Sequence, residues 1–208
     1  DEGYIDDIDL GFFSIPEFCD IDNDNDYDMF IGNYSGEVYF FENIGDEENY
    51  NFVESGTIQE ISGISRTAPK FIDLDYDDDY DLVVGTASSG LQIYWNIGNQ
   101  NSYIFLKDEC IEVPFLGYNI KPWIGDINNN NNLDLIVGIS TGGFMHYEVS
   151  GMGDANSDKN LDILDIIITV NQIIYQYQYF TSICSMDMNH DQSLDISDIV
   201  YILNIIIQ

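Results

Sequence analysis

The sequence predicts a mainly β protein of three repeated blades, followed by a small α-helical module. Three observations carry this. Strand-like segments recur every 53 residues through the first part of the chain, helix-like segments recur every 33 residues after position 151, and five acidic loops keep fixed places within those periods.

The 53-residue period is set by Asp20, Asp73 and Asp126, which open the first three loops. Pro16, Pro69 and Pro122 stand four residues before them, and Gly32, Gly85 and Gly138 close the strands after them. Ile5, Ile58 and Ile111 match, as do Tyr50 with Tyr103 and Phe52 with Phe105. Each repeat reads as β throughout. Ile15-Pro16-Glu17-Phe18-Cys19 runs into a loop, and Asp28-Met29-Phe30-Ile31-Gly32 leaves it. The counterparts 81–85 and 134–138 carry the same unbroken apolar runs, the mark of strands buried on both faces. A turn leads to an alternating strand (37–41, 91–95), and Asn43-Ile44-Gly45 or Asn96-Ile97-Gly98 leads to a fourth (50–58, 103–111). Four short strands in about 50 residues is the pattern of a propeller blade. The blades cover about 1–53, 54–106 and 107–150, and the helical module 151–208.

The loops place oxygen-bearing side chains on alternate residues. In the first these are Asp20, Asp22, Asp24, Asp26 and Asp28, in the second Asp73, Asp75, Asp77, Asp79 and Asp81, and in the third Asp126, Asn128, Asn130, Asn132 and Asp134. The fourth has Asp154, Asn156, Asp158, Asn160, Asp162 and Asp165, and the fifth Asp187, Asn189, Asp191, Ser193, Asp195 and Asp198. Hard oxygen donors at this spacing are what one loop needs to wrap Ca²⁺, so up to five ions are expected. The third loop has only two carboxylates and is expected to be the weakest site. The last two loops run to a twelfth position in the EF-hand manner and lead into apolar-striped segments, 164–175 and 197–208, which align without a gap.

The motif P-x-F-x-D-x-D-x-D-x-x-x-D, with its following strand and Gly, resembles the FG-GAP/VCBS repeat over residues 1–151. That resemblance implies calcium-looped β-propeller blades. Loop position 6, usually Gly in that family, holds Asn25, Asp78 and Asn131, the side chains that best tolerate a left-handed backbone. Residues 151–208 resemble a type I dockerin, which implies two Ca²⁺ and a cohesin-type partner. Its specificity positions, Ile163-Leu164 and Ile196-Ser197, are mostly apolar, unlike many cellulosomal dockerins. The short Gly151-Met152-Gly153 junction predicts a module seated close to the last blade. A closed propeller needs more than three blades. Further blades upstream, blades from other chains, or an open arc would each answer that need.

Charge narrows the function. The formal net charge is −33, with only five Lys and Arg, so no basic surface for nucleic acid or anionic lipid is present. Twenty-one of the 38 acidic residues lie in the five loops. With 45% hydrophobic and 14% aromatic residues, the chain is too apolar to be a disordered acidic tail. Cys19, Cys110 and Cys184 form no metal motif and read as core residues or one disulfide plus a thiol. No membrane-length apolar run occurs, and Asp1 reads as the start of a mature or truncated chain. Asn33-Tyr34-Ser35 fits an N-glycosylation acceptor in a surface turn. His146 reads as a structural histidine on a strand, and His190 as pointing outward from its loop.

No nucleophile–base pair or zinc signature is present, so the expectation is a non-enzymatic protein outside the cell or on its surface. It would be braced by calcium and would assemble through its dockerin-like end, with a cohesin-type partner or with itself into a surface structure or filament. The alternative is the carbohydrate-binding or attachment region of a larger secreted polysaccharide-processing enzyme.

Overall fold

A computed structural model describes residues 8–46, 48–61, 64–108, 116–129, 133–149, 153–156, 158, 160–175, 186–191 and 193–207. The fold is mainly antiparallel β. The first sheet is β1 (Ile15–Cys19), β2 (Asp28–Gly32), β3 (Val38–Asn43) and β4 (Phe52–Thr57), in sequential order. The second is β5 (Ala68–Ile72), β6 (Asp81–Gly85), β7 (Leu91–Asn96) and β8 (Phe105–Lys107). The third has three strands, β9 (Lys121–Gly125), β10 (Leu133–Gly138) and β11 (Phe144–Val149). Two short helices follow, α1 (Ile163–Tyr175) and α2 (Ile196–Ile206). Among the described residues no helix is long and apolar enough to cross a membrane.

The register repeats with the sequence. Ile15 pairs with Gly32 and Cys19 with Asp28; Ala68 with Gly85 and Ile72 with Asp81; Lys121 with Gly138 and Gly125 with Asp134. Each of the first three acidic loops is therefore the turn between the first two strands of a sheet. The three in-register prolines lie on β1, β5 and β9, the strands at one edge of their sheets, where a missing ladder donor costs nothing.

Successive sheets pack face to face. Phe30 of β2 lies against Phe40 at 4.8 Å and against Phe71 of the next sheet at 4.3 Å between ring centroids. Such aromatic pairs add roughly 0.5–1.5 kcal/mol each beyond burial. The backbone joins neighbouring repeats in the same way twice. Arg66 and Thr67 N–H donate to the Tyr34 and Asn33 carbonyls at 3.2 and 3.1 Å, and Asn119 and Ile120 N–H donate to Ala87 and Thr86, both at 3.0 Å. Lys70 adds an ion pair to Glu17 at 2.6 Å. At each joint a strand-ending glycine admits the next repeat. A Cβ on Gly32 would lie 2.2 Å from the Thr67 carbonyl oxygen, and one on Gly85 would lie 2.2 Å from that of Ile120.

The helical module shares this core. Met188 and Ile202 are buried in one cluster with Leu74, Val83, Leu91, Trp95, Ile120 and Val137. His190 does not point outward. It stacks on Trp95 at 4.2 Å and 14°, with Nε2 3.4 Å from Asp75 Oδ2. The cause is its left-handed backbone, φ 55°, which breaks the alternation that the outward reading assumed. Asn33 is likewise not a free surface acceptor. It is buried, its Oδ1 accepts the Gly36 and Glu37 N–H, and its Nδ2 donates to Glu37 Oε2, so the amide is committed to the turn. Cys19 is a buried free thiol; Cys110, Cys184 and the Gly151-Met152 junction lie outside the described residues.

The apolar runs predict strands buried on both faces. This holds along all of β2 and β6, but in β10 only Asp134 and Val137 are buried. Among the described residues nothing packs on the next-repeat face of the third sheet. Phe144 is 83% exposed, whereas Leu91 and Val38, one and two periods earlier, are 7% and 0% exposed. We expect Gly85→Ala to lower unfolding stability by about 1–3 kcal/mol through overpacking against Ile120. Gly138→Ala, with no other atom nearer than 3.8 Å to the new Cβ, should stay within about 0.5 kcal/mol of the parent. Denaturant titration of the two variants checks the contrast.

Candidate metal centres

Four of the five loops, those opened by Asp20, Asp73, Asp154 and Asp187, share one wiring plan among the described residues; in the third, Asp126 accepts instead from Asn128 N–H at 3.1 Å. The first carboxylate accepts the backbone N–H of the fifth residue: Asp20 from Asp24 at 3.0 Å, Asp73 from Asp77 at 3.2 Å, Asp154 from Asp158 at 3.1 Å and Asp187 from Asp191 at 3.2 Å. The last carboxylate closes the loop from the other end. Asp28, Asp81 and Asp134 accept from Ile21, Leu74 and Ile127 at 3.3, 2.8 and 3.0 Å, and Asp198 accepts from Met188 at 2.8 Å. In the fourth loop Asp165 accepts from Asn156 at 3.3 Å and from Asp162 at 2.8 Å. The tight turns need left-handed residues, and Asn25 (φ 73°) and Asp78 (φ 72°) supply them at position 6, as their side-chain type predicts. Asn130, Asn131 and Asn132 of the third loop, and Lys159 and Gln192 of the last two, lie outside the described residues.

Backbone amides bond some of the loop oxygens and leave others bare. Asp22 Oδ1, Asp26 Oδ1, Asp75 Oδ1 and Asp79 Oδ1 are buried and have no hydrogen-bond partner. They occupy positions 3 and 7 in both of the first two loops. An unpaired buried oxygen costs about 1–3 kcal/mol, more when charged. Four in equivalent places are what a loop shaped around a cation leaves when only protein donors are counted. Asp20, Asp22 and Asp24 bring one oxygen each within 4.8 Å of one another, and so do Asp73, Asp75 and Asp81. All-oxygen, carboxylate-rich donor sets of this kind suit a hard cation such as Ca²⁺. A cavity of about 260 Å³ separates these two loops and is lined by Asp20, Asn23, Asp73, Asp78 and Asp79 among others.

The electrostatics agree with the geometry. Burial raises the Asp79 carboxyl to about 7, helped by Asp77, Asp75 and Asp73. Burial and Asp75 raise Asp77 to about 6. Burial raises Asp28 to about 6 against the pull of two backbone amides, and holds Asp81 well above the usual carboxylate range.

The third loop differs. His146 Nε2 lies 2.6 Å from Asp134 Oδ1, and this bond lowers the Asp134 pKa. In the first two repeats that carboxylate oxygen takes the backbone N–H of Asn43 at 2.9 Å or Asn96 at 2.8 Å. These two asparagines escaped the sequence reading as site residues. Their backbone N–H groups donate to the last loop carboxylate, and each side-chain Oδ1 accepts two N–H groups of its turn, from Gly45 and Asn51, or from Gly98 and Ile104. Asn43 also bonds the Asp26 carboxylate through its side chain. Their recurrence one period apart in N-I-G is the signal that could have found them.

In the fifth loop Asp195 caps α2, accepting from Ser197 N–H at 2.7 Å, while Asp198 reaches back in a capping box. The two helices turn related apolar residues outward. Ile163, Ile167 and Ile174 of α1 match Ile196 and Val200 of α2 and its C-cap Ile207 across the 33-residue period, and each is 50–73% exposed.

The chain matches no protein-family model, and no curated protein is similar to it in sequence.

Two outcomes follow from the loop carboxylates. A carboxyl with a raised folded-state pKa binds its proton more tightly folded than unfolded, so the metal-free fold loses stability as pH rises from about 4 toward about 7. Saturating Ca²⁺, which selects the ionised form, should abolish or reverse that slope in thermal melts. Asp79→Asn should stabilise the metal-free protein at pH 8 by about 1–3 kcal/mol while reducing the melting gain that Ca²⁺ gives the parent. Calorimetry with and without chelator reads both effects.

Proposed function

We propose that this protein is a calcium-braced, non-enzymatic scaffold that works outside the cell. In this reading the three sheets are propeller-type blades of the FG-GAP/VCBS kind, and the helical pair is a dockerin-like docking module. The observation that carries it is the set of bare buried oxygens at positions 3 and 7 of the first two loops. Carboxylates crowded in this way repel one another until a cation joins them. Millimolar free calcium is an extracellular condition, and loops of this ligand charge fill there.

The carboxylates serve the loops rather than a reaction. Their oxygens face backbone amides of the same turn, which favours a bracing role over catalysis. The outward apolar positions on α1 and α2 favour docking of a protein partner, either cohesin-type or another subunit. A second reading, carbohydrate attachment, has its own support. A groove beside the first loop is lined by Tyr27, Tyr50, Tyr80, Phe18, Asp46 and Glu48, the mixture of aromatic faces and acceptors that sugars require.

Calorimetric melting in millimolar Ca²⁺ and in chelator tests the scaffold reading. Each site held at about 100 times its dissociation constant adds about 2.7 kcal/mol, so several filled loops raise the melting temperature by many degrees. Identical melting in the two buffers would contradict it.

A further inference from the structure

The third repeat carries a face that no described residue covers, and the other two joints indicate what fits it. Three features make those joints. A strand-ending glycine (Gly32, Gly85) admits the incoming backbone, with a built Cβ only 2.2 Å from the next repeat's carbonyl oxygen. Two carbonyls, Asn33 and Tyr34 or Thr86 and Ala87, accept consecutive N–H groups of the next repeat. An apolar residue of the incoming first strand (Phe71, 4% exposed, or Ile124, 5%) then covers the face.

The third repeat presents the accepting half of this joint. Gly138 stands in the place of Gly32 and Gly85, and no other atom comes within 3.8 Å of its built Cβ. Ile139 and Ser140 carry the two carbonyls, and among the described residues neither accepts from a following repeat. Phe144, 83% exposed, and Ile136, half-buried, stand where Val38 with Phe30 and Leu91 with Val83 are covered.

The first repeat presents the inserting half. Phe18, in register with Phe71 and Ile124, is 46% exposed. The N–H groups of Phe13 and Ser14, in register with Arg66 and Thr67, have no acceptor among the described residues. Phe12 and Phe13 beside them are 80% and 53% exposed.

We propose that the first repeat of a second copy of this chain docks on the third repeat, head to tail, with β1 of one copy beside β9 of the other. The new joint then reproduces the two internal ones: Phe13 and Ser14 N–H donate to Ser140 and Ile139, and Phe18 covers Ile136 and Phe144. The proposal rests on the scaffold reading above for calcium to offset the acidic repulsion between copies.

Sedimentation velocity in millimolar Ca²⁺, over a wide concentration range, tests it. The parent chain should self-associate as concentration rises. Gly138→Val has room in the single chain but would meet an incoming carbonyl, so it should weaken association roughly tenfold or more with melting unchanged. Phe18→Ser should also stay monomeric. Mixed, these two variants should form a heterodimer and nothing larger, because the first keeps the inserting half and the second the accepting half. Phe144→Ser gives an independent check of the accepting face. A parent chain that stays monomeric throughout, or association that Gly138→Val leaves intact, overturns the proposal. Calcium-dependent melting measured on the same samples tells failure of this joint from failure of the scaffold reading.

Discussion

Like-charge crowding in the turns between first and second strands is the constraint on which the rest of the structure depends. Asp28 and Asp81 are buried at the base of their loops, tied to Ile21 and Leu74 behind them and to Asn43 and Asn96 on the third strand. Each such carboxylate therefore connects three segments of its sheet through backbone amides. The same burial raises its pKa and makes its charge costly. Bracing and strain come from one group. A cation seated among positions 1, 3, 5 and 7, as proposed, would keep the bracing and remove the strain, and so would link metal, loop and sheet order.

That link extends to the helical module. His190 belongs to the fifth loop, yet it stacks on Trp95 of β7 and reaches Asp75 of the second loop. Met188, from the same loop, lies in the core cluster with Leu74 and Val83. Order in the fifth loop and order in the second are thus physically coupled, and the module is part of the core rather than a tethered appendage. Its apolar helix positions still face outward, so packing on the sheets leaves them exposed for the docking proposed above.

Much of the fold was legible because the sequence repeats itself. The spacing of Pro16, Pro69 and Pro122 and of Gly32, Gly85 and Gly138 fixed strand limits to within a residue or two. Asn25 and Asp78 revealed left-handed turns through side-chain type alone. What escaped depended on contacts between distant segments. His190 was misjudged because local alternation says nothing of Trp95, and Asn33 because a turn residue is usually exposed. Asn43 and Asn96 were read as turn formers although they also hold the loops. The even apolar runs implied equal burial in all three sheets, but burial depends on a neighbour, and among the described residues the third sheet has none on its far face.

Amide hydrogen exchange tests the central claim most directly. The Ile21, Asp24, Leu74 and Asp77 N–H groups donate to loop carboxylates and report loop order one by one. If calcium braces these loops, its addition should slow exchange at those amides and along β2 and β6. Exchange rates that are the same with calcium and with chelator would contradict the account.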